Sequence, residues 1–344
     1  MNHILKILDK DYALALLKRK VLPQYPQFKG IKDLEIVPHK KYIWESTYHV
    51  VFELKTIFVD KAGGETILPI FCAAHSSEPR ENVFRTLNFL WDHGFSGDFL
   101  TIPRPLFFSP YLKGVFYRGV PGHNLHYYMS QKDKAAIEMI VPQAARWFAK
   151  LHNISSLDDY DFNLKSGRIR TVVPGIDKIL EEIETNHPEY TSFYRGAYEL
   201  FMSREEEFLD STKKRWLIHG DAHPENIIRM SDEKLAVIDF SDTAPSDFAR
   251  DLGCFLEQFE YMAQKENYAS GYVEKIKKLF LDNYFADAKE ELTPDVENRI
   301  QNYYYWTKLR TITYLLVSGV INRDEAKMIK IRHMIGELKQ SLNI

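Results

Sequence analysis

The chain has 344 residues, with 45 Lys and Arg against 48 Asp and Glu, a formal net charge of −3. That near-balance excludes a nucleic-acid coat or a polybasic membrane binder, which need excess positive charge against phosphate. A hydrophobic content of 45% with 27% charged residues excludes disorder and collagen-like structure, and the length suits two lobes or two small domains.

Two cysteines, Cys72 and Cys254, cannot build a disulfide framework or a four-thiolate zinc site. Both lie in apolar stretches, as small hydrophobes in a reducing compartment do. The N-terminal run is broken by Asp9, Lys10 and Asp11 and lacks a signal-peptide core. No window approaches the roughly 18 uncharged apolar residues of a membrane span. A cytoplasmic protein with neither nucleic acid nor membrane as partner is expected.

In chain order, Asp33–Val37, Thr47–Asp60 and Thr66–Ala73 read as strands rich in β-branched and aromatic residues. Ala62-Gly63-Gly64 turns the chain between the second and third. Pro79, with Ser77 as cap, is expected to open a helix through Val83, Leu87, Leu90 and Trp91, stopped at His93-Gly94. Short apolar stretches follow at Leu106–Phe108 and Gly114–Val120, and Pro121-Gly122 punctuates the chain. Beyond it the pattern is mostly helical. A capping box at Ser130 and Asp133 precedes an apolar face from Ile137 to Leu151, with a kink expected at Pro142. Residues 153–175 are irregular, and helical patterns run from Asp177 to Asp210 and through the last hundred residues. The fold class expected is α+β: a small β-rich lobe over residues 1–116, a hinge at 117–122 and a larger, mainly helical lobe over 123–344.

One stretch interrupts the helices, Arg215 to Asp242 (RWLIHGDAHPENIIRMSDEKLAVIDFSD). The apolar Trp216–Ile218 reads as a strand ending in His219-Gly220-Asp221. Asn226 follows, then Ile227-Ile228, a turn at Ser231-Asp232, a return strand Leu235–Ile238, and Asp239 at its end. A carboxylate, an amide and a second carboxylate thus project from adjacent short strands. Phosphoryl transfer from a nucleotide needs such a set: one carboxylate to orient the attacking hydroxyl, and two oxygen ligands to hold Mg²⁺ against the phosphates. Asp221 has the spacing of a catalytic Asp and Asn226 that of the metal ligand after it. Asp239-Phe240-Ser241 stands where kinases carry Asp-Phe-Gly.

Here the sequence resembles the aminoglycoside phosphotransferase and choline kinase-like family of small-molecule kinases. The runs HGDAHPENII (His219–Ile228) and VIDFSD (Val237–Asp242) carry the resemblance, with support from Phe116–Gly122, Ala149–His152 and Asp251-Leu252-Gly253. It implies a two-lobed protein-kinase-like fold, ATP or GTP as co-substrate, Mg²⁺ and a small hydroxyl-bearing acceptor. By it Asp221 is the catalytic base, and Asn226 and Asp239 are the Mg²⁺ ligands. Residues 117–120, among them Tyr117, Gly119 and Val120, meet the purine. His223 is a loop residue near the phosphates, and Asp251 braces the loop.

The N-terminal lobe departs from the pattern. The expected small-residue loop, His39–Thr47, contains no Gly. Glu81 stands where a lobe-spanning ion-pair partner belongs. The strand before it, Thr66–His75, has no Lys to pair with it, and the slot falls near Cys72. Lys40, Lys41, His75 and Arg80 are the other cations within reach along the chain. Several bland readings stand beside these. Glu81 also reads as a first-turn acid favoured by the helix dipole, and Asp242 as a solvated turn acid. His219 and His223 do not form a helical zinc pair, because Gly220 and Pro224 break the helix. The run Tyr303–Trp306 reads either as core or as the lining of an acceptor pocket.

The reading that follows is a kinase transferring the γ-phosphate to a hydroxyl of a small polar metabolite or aminoglycoside-like molecule. The alternative is a nucleotide-binding pseudokinase whose altered N-terminal lobe no longer transfers phosphate. A metal-dependent phosphohydrolase using the same acids comes third, since such enzymes need more ligands than this cluster supplies.

Overall fold

The computed structural model describes residues 2–78, 80–97, 99–155, 157, 162, 164–317 and 325–344. The chain opens with α1 (Lys10–Lys20), followed by β1 (Phe28–Ile43), β2 (Tyr48–Asp60), β3 (Glu65–His75) and α2 (Glu81–Leu90). Next come β4 (Leu100–Thr101), β5 (Arg104–Ser109), β6 (Gly114–Arg118), β7 (His123–Asn124), α3 (Leu125–Ser130) and α4 (Lys134–His152). Two helices, α5 (Ile176–Asn186) and α6 (Thr191–Ser211), lead to the short strands β8 (Trp216–Ile218), β9 (Ile227–Arg229), β10 (Leu235–Val237) and β11 (Ala244–Ser246). The chain ends with α7 (Ala249–Lys265), α8 (Ser270–Asp287), α9 (Pro294–Val317) and α10 (Glu325–Leu342). This is the expected α+β class. The chain divides into two compact units, Met1–His123 with Ile228–Ser241, and Asn124–Ile227 with Asp242–Ile344.

The first unit is built on a five-stranded sheet in the order β1-β2-β3-β6-β5, antiparallel throughout. Alternation along β2 puts Val50, Phe52, Leu54 and Phe58 on one face, and β3 adds Leu68, Ile70, Cys72 and Ala74. All pack in a core with Ala13, Leu16 and Leu17 of α1. Burying each of these large side chains stabilises the fold by roughly 1.5–3 kcal/mol. α1 itself was hidden in the sequence. Asp9, which breaks the apolar run, caps it by accepting from the amides of Asp11 and Tyr12.

Three expectations are corrected. The first strand continues past Val37: Pro38 pairs with Phe52 and, after a bulge at His39, Lys40–Ile43 pairs with Tyr48–Val51, so the connecting loop shrinks to Trp44–Thr47. Tyr42, Ile43, Tyr48 and Val50 favour extended backbone, and that preference prevails over a loop. Ser130 is not part of a capping box. It ends α3, where its hydroxyl donates to the Tyr127 carbonyl, and Asp133 alone caps α4 by accepting from the Ala136 amide. α2 begins after Arg80 with no side-chain cap, so Ser77 does not serve as one, and Pro79 lies outside the described residues.

The second unit is helical, apart from β8 paired with β11 and the strand ends at its borders. α4 buries Ile137, Ile140, Val141, Ala144, Ala145, Phe148 and Leu151, the face read from their spacing. α7 is buried almost all round over its first three turns, from Ala249 to Phe259. Among the described residues no helix is long and apolar enough to cross a membrane.

Candidate active site

The loop after β8 is braced by buried side chains of α7. Asp251, in the first turn of α7, is fully buried. Its carboxylate accepts from the amides of His219 at 2.7 Å and Gly220 at 2.8 Å, and from Nε2 of His152 at 3.1 Å. A carboxylate only accepts, so His152 carries its proton on Nε2, and its Nδ1 accepts from the Tyr284 hydroxyl at 2.8 Å. Burial pushes the Asp251 carboxyl up. The hydrogen bonds from His152 and from the Gly220 amide outweigh it and hold Asp251 below its ordinary value. Gly220 turns at φ +86°, and a Cβ there would meet the Asp242 carbonyl oxygen at 2.3 Å, so only glycine fits. Its own carbonyl accepts from the buried Arg250 guanidinium at 3.3 Å.

This brace presents Asp221, which is half-buried. His223 Nδ1 accepts from the Glu225 amide, which leaves the proton on Nε2, 3.3 Å from Asp221 Oδ2. Burial would raise the Asp221 carboxyl. The hydrogen bond from His223, then the Arg310 charge, hold it well below the usual carboxylate range. Asn226 is buried, and its Nδ2 donates to the Asp221 carbonyl at 3.0 Å. With the amide nitrogen committed, Oδ1 is left to accept or to ligate. The three residues His223, Asp221 and Asn226 are therefore brought together.

In the first unit, Asp239 follows β10 at φ +65°, a left-handed conformation that Asp tolerates better than most residues. Its Oδ1 accepts from the Ser241 hydroxyl at 2.8 Å, and the side chain is exposed. Tyr117, on β6, stacks on Phe71 of β3 with ring centroids 5.7 Å apart. Burial, then the Asp239 charge, push its hydroxyl far up. Gly119 donates its amide to the Pro69 carbonyl at 2.9 Å, which leaves its carbonyl for other partners. Val120 is half-buried just beyond. Gly122 turns at φ +118° against the Arg229 carbonyl, 2.0 Å from where a Cβ would stand.

Cys72 faces the core of this unit, opposite Phe52 and Phe116, and burial pushes its thiol far up. Its neighbours Phe71 and Ala73 occupy the other face, and both are apolar. Charge arrives beyond them. His75 ends β3, its ring 4.8 Å from that of His49, and Lys40 Nζ is 3.5 Å from His49 Nε2. Arg80 follows, its side chain only 12% exposed, with Glu78 at 3.5 Å and its Nε buried without a hydrogen bond among the described residues. Burial, then the charges of Lys40, Arg80 and His75, push His49 down to about 4. The Arg80 charge also acts on Tyr117, as that of Asp239 does. Glu81 pairs with Arg85 one turn on, at 2.9 Å. Sequence reasoning missed the Arg250 clamp; nothing in its local sequence marks it.

Hard divalent cations take oxygen ligands, and Asn226 Oδ1 and Asp239 Oδ2 are such donors. Among the described residues no group of three or more His, Cys, Asp or Glu forms a metal cluster.

A sequence model of the phosphotransferase enzyme family, APH, matches residues 51–284, about two thirds of the chain. No curated protein matches it. Among solved structures, the chain is similar to an amicoumacin kinase in complex with AMP-PNP, Ca²⁺ and Ami, at 15% identity and a TM-score of 0.57, over 93% of this chain and 92% of that one. It is also similar to a choline/ethanolamine kinase family protein from Mesorhizobium loti, at 14% identity and a TM-score of 0.55, over 96% and 94%. A spectinomycin phosphotransferase in complex with ADP and spectinomycin gives 12% identity and a TM-score of 0.54, over 96% and 98%. These likenesses establish the protein-kinase-like fold, and the match over residues 51–284 establishes the lineage: the chain belongs to the phosphotransferase enzyme family.

Proposed function

We propose that the protein transfers the γ-phosphate of ATP or GTP to a hydroxyl of a small molecule, assisted by Mg²⁺. The observation that carries this is Asp221: ionised, half-buried, oriented by His223, and seated on a backbone that Asp251 holds rigid. Asp221 would accept a hydrogen bond from the acceptor hydroxyl, align it for attack and take its proton as the bond to phosphorus forms. Nucleotide use is supported by the similar kinases solved with AMP-PNP and with ADP.

Asn226 and Asp239 would supply the protein oxygens for Mg²⁺, which when bound neutralises charge on the phosphates. Tyr117, Gly119 and Val120 would meet the nucleobase, with Gly119 offering its carbonyl. His223 works on Asp221 instead of on the phosphates. Arg80 takes the task of the absent strand Lys: a guanidinium buried without full partners gains by meeting a phosphate oxygen. Glu81, paired with Arg85, then serves to fix the start of α2.

The test is thermal stabilisation by Mg²⁺ with ATP or GTP, followed by a phosphate-transfer screen over hydroxyl-bearing small molecules. Stabilisation, and transfer lost in Asp221→Asn, are expected. No nucleotide binding by the wild type, or transfer unchanged in Asp221→Asn, contradicts the proposal. The second reading, a pseudokinase, draws on Cys72 facing the core where a Lys is expected nearby. It requires nucleotide binding with no transfer to any acceptor.

A further inference from the structure

The second unit contains a cavity of about 500 Å³ walled by the turn after Thr171 and by α5, α6 and α9. That volume lies within the roughly 300–1,000 Å³ typical of small-molecule sites. Most of the wall is apolar, with Val172, Ile176, Ile179 and Trp306 among its residues. The apolar character continues to the surface, where Val173 and Tyr314 are each 70% exposed. A rim of exposed apolar side chains around a cavity marks a surface that gains by being covered.

Two polar groups in the wall are under-partnered. The Tyr198 hydroxyl is buried with no hydrogen-bond partner among the described residues, although the residue is only 2% exposed. Arg310 is half-buried and makes no ion pair among the described residues. Its guanidinium lies 4.9 Å from the Trp306 ring centroid. A half-buried guanidinium with no ion pair among the described residues gains by meeting an anion, and a carboxylate that it can grip with two N–H groups satisfies it best. Trp306 in this wall also carries the Arg250 guanidinium 5.0 Å from its ring centroid, and Arg250 holds the Gly220 carbonyl next to Asp221, so this end of the cavity adjoins the loop that presents the base. The remaining charged wall residues, Lys178 and Glu182, are exposed and of opposite sign.

We infer that this cavity is the acceptor subsite and that it takes an amphiphilic hydroxy acid. Its carboxylate meets Arg310 and the Tyr198 hydroxyl, its apolar body lies among Ile176, Ile179 and Trp306, and its hydroxyl is directed to Asp221. The inference rests on the phosphotransfer proposed above. In the step, the acceptor hydroxyl oxygen forms the new bond to the γ-phosphorus and its proton passes to Asp221. The bond from that phosphorus to the bridging oxygen breaks, and the nucleoside diphosphate leaves with the electron pair. A polycation meets an unpaired guanidinium here and is disfavoured.

The experiment is calorimetric titration of the full chain, with Mg²⁺ and AMP-PNP present, using 3-hydroxydecanoate as probe. Comparators are 3-hydroxybutyrate, which lacks the apolar body, the methyl ester of the probe, which lacks the charge, and kanamycin. The probe is expected to bind at least about tenfold tighter than each comparator. Arg310→Gln is expected to erase the preference for acid over ester, and Arg310→Lys to keep part of it. Equal binding of acid and ester by the wild type, tighter binding of kanamycin, no binding of the probe, or an acid preference unchanged in Arg310→Gln overturns the inference. Titration of AMP-PNP alone separates the two levels. If the nucleotide fails to bind, the phosphotransfer proposal falls; if it binds without acid preference, only the subsite falls.

Discussion

The loop from His219 to Asn226 and the sheet face that ends in His75 solve different problems. In the loop, Asp221, His223 and Asn226 stand together within one short segment, and buried neighbours hold the backbone there. Asp251 accepts two loop amides, Arg250 holds the Gly220 carbonyl, and Gly220 has no room for a Cβ. On the sheet face the expected cation is missing from the strand. Phe71 and Ala73 occupy the face opposite the core, and positive charge is supplied past the strand end by Arg80 and Lys40, beside the His49 and His75 rings, which burial pushes toward the neutral form. A proton acceptor must be placed to a fraction of an ångström. A point charge facing phosphates acts over a longer range and can be delivered from a neighbouring position.

If this contrast is right, the loop tolerates no change and the sheet face tolerates some. Asp221→Asn removes the proton acceptor and keeps the shape. Turnover is expected to fall by about a thousandfold, with nucleotide binding retained, as read by steady-state kinetics beside calorimetry. Asp251→Asn sets an amide NH₂ against loop amides that need an acceptor. An unfolding free-energy loss of about 3 kcal/mol is expected in denaturant titration, with turnover falling as the loop loosens.

Glu257, six residues further along α7, sharpens the point that donors rather than burial keep Asp251 ionised. It is equally buried, but hydrogen bonds from Gln258 and Thr311 do not offset burial, which pushes it up to about 7. Between the ordinary glutamate value of 4.5 and about 7 the folded state holds more proton than the unfolded chain, so stability falls as pH rises through that window. Glu257→Gln is therefore expected to stabilise the fold by up to about 3 kcal/mol near about pH 8 and by little near about pH 4.5, in thermal scans at both. The smallest expected effect belongs to the sheet face. Arg80→Met should raise KM for the nucleotide about tenfold, with a lesser change in kcat, while Arg80→Lys recovers part of it.

Much of this was legible in the sequence, and unevenly so. The alternation of β2 and β3 and the helical face of α4 announce themselves because one side of each element is buried. The Asp221, Asn226 and Asp239 spacing is legible because loop chemistry is local in sequence. Two kinds of feature were not. The extension of β1 over His39–Ile43 depends on cross-strand pairing with β2 that a search for a phosphate loop overlooks. The Arg250 clamp and the Arg310 charge on Asp221 arrive from helices distant in sequence, and no spacing rule connects them to the loop. The His152 contact with Asp251 spans 99 positions, although each residue lies in a short motif of its own.

We propose that Asp221 serves a phosphate carried with Mg²⁺ on Asn226 and Asp239, and calorimetric titration of ATP into the wild type and Asp239→Asn, with and without Mg²⁺, is the test. Binding by the wild type is expected to strengthen with Mg²⁺, and that gain is expected to be lost in Asp239→Asn. Binding by the wild type that ignores Mg²⁺, or a gain that survives in Asp239→Asn, would contradict it.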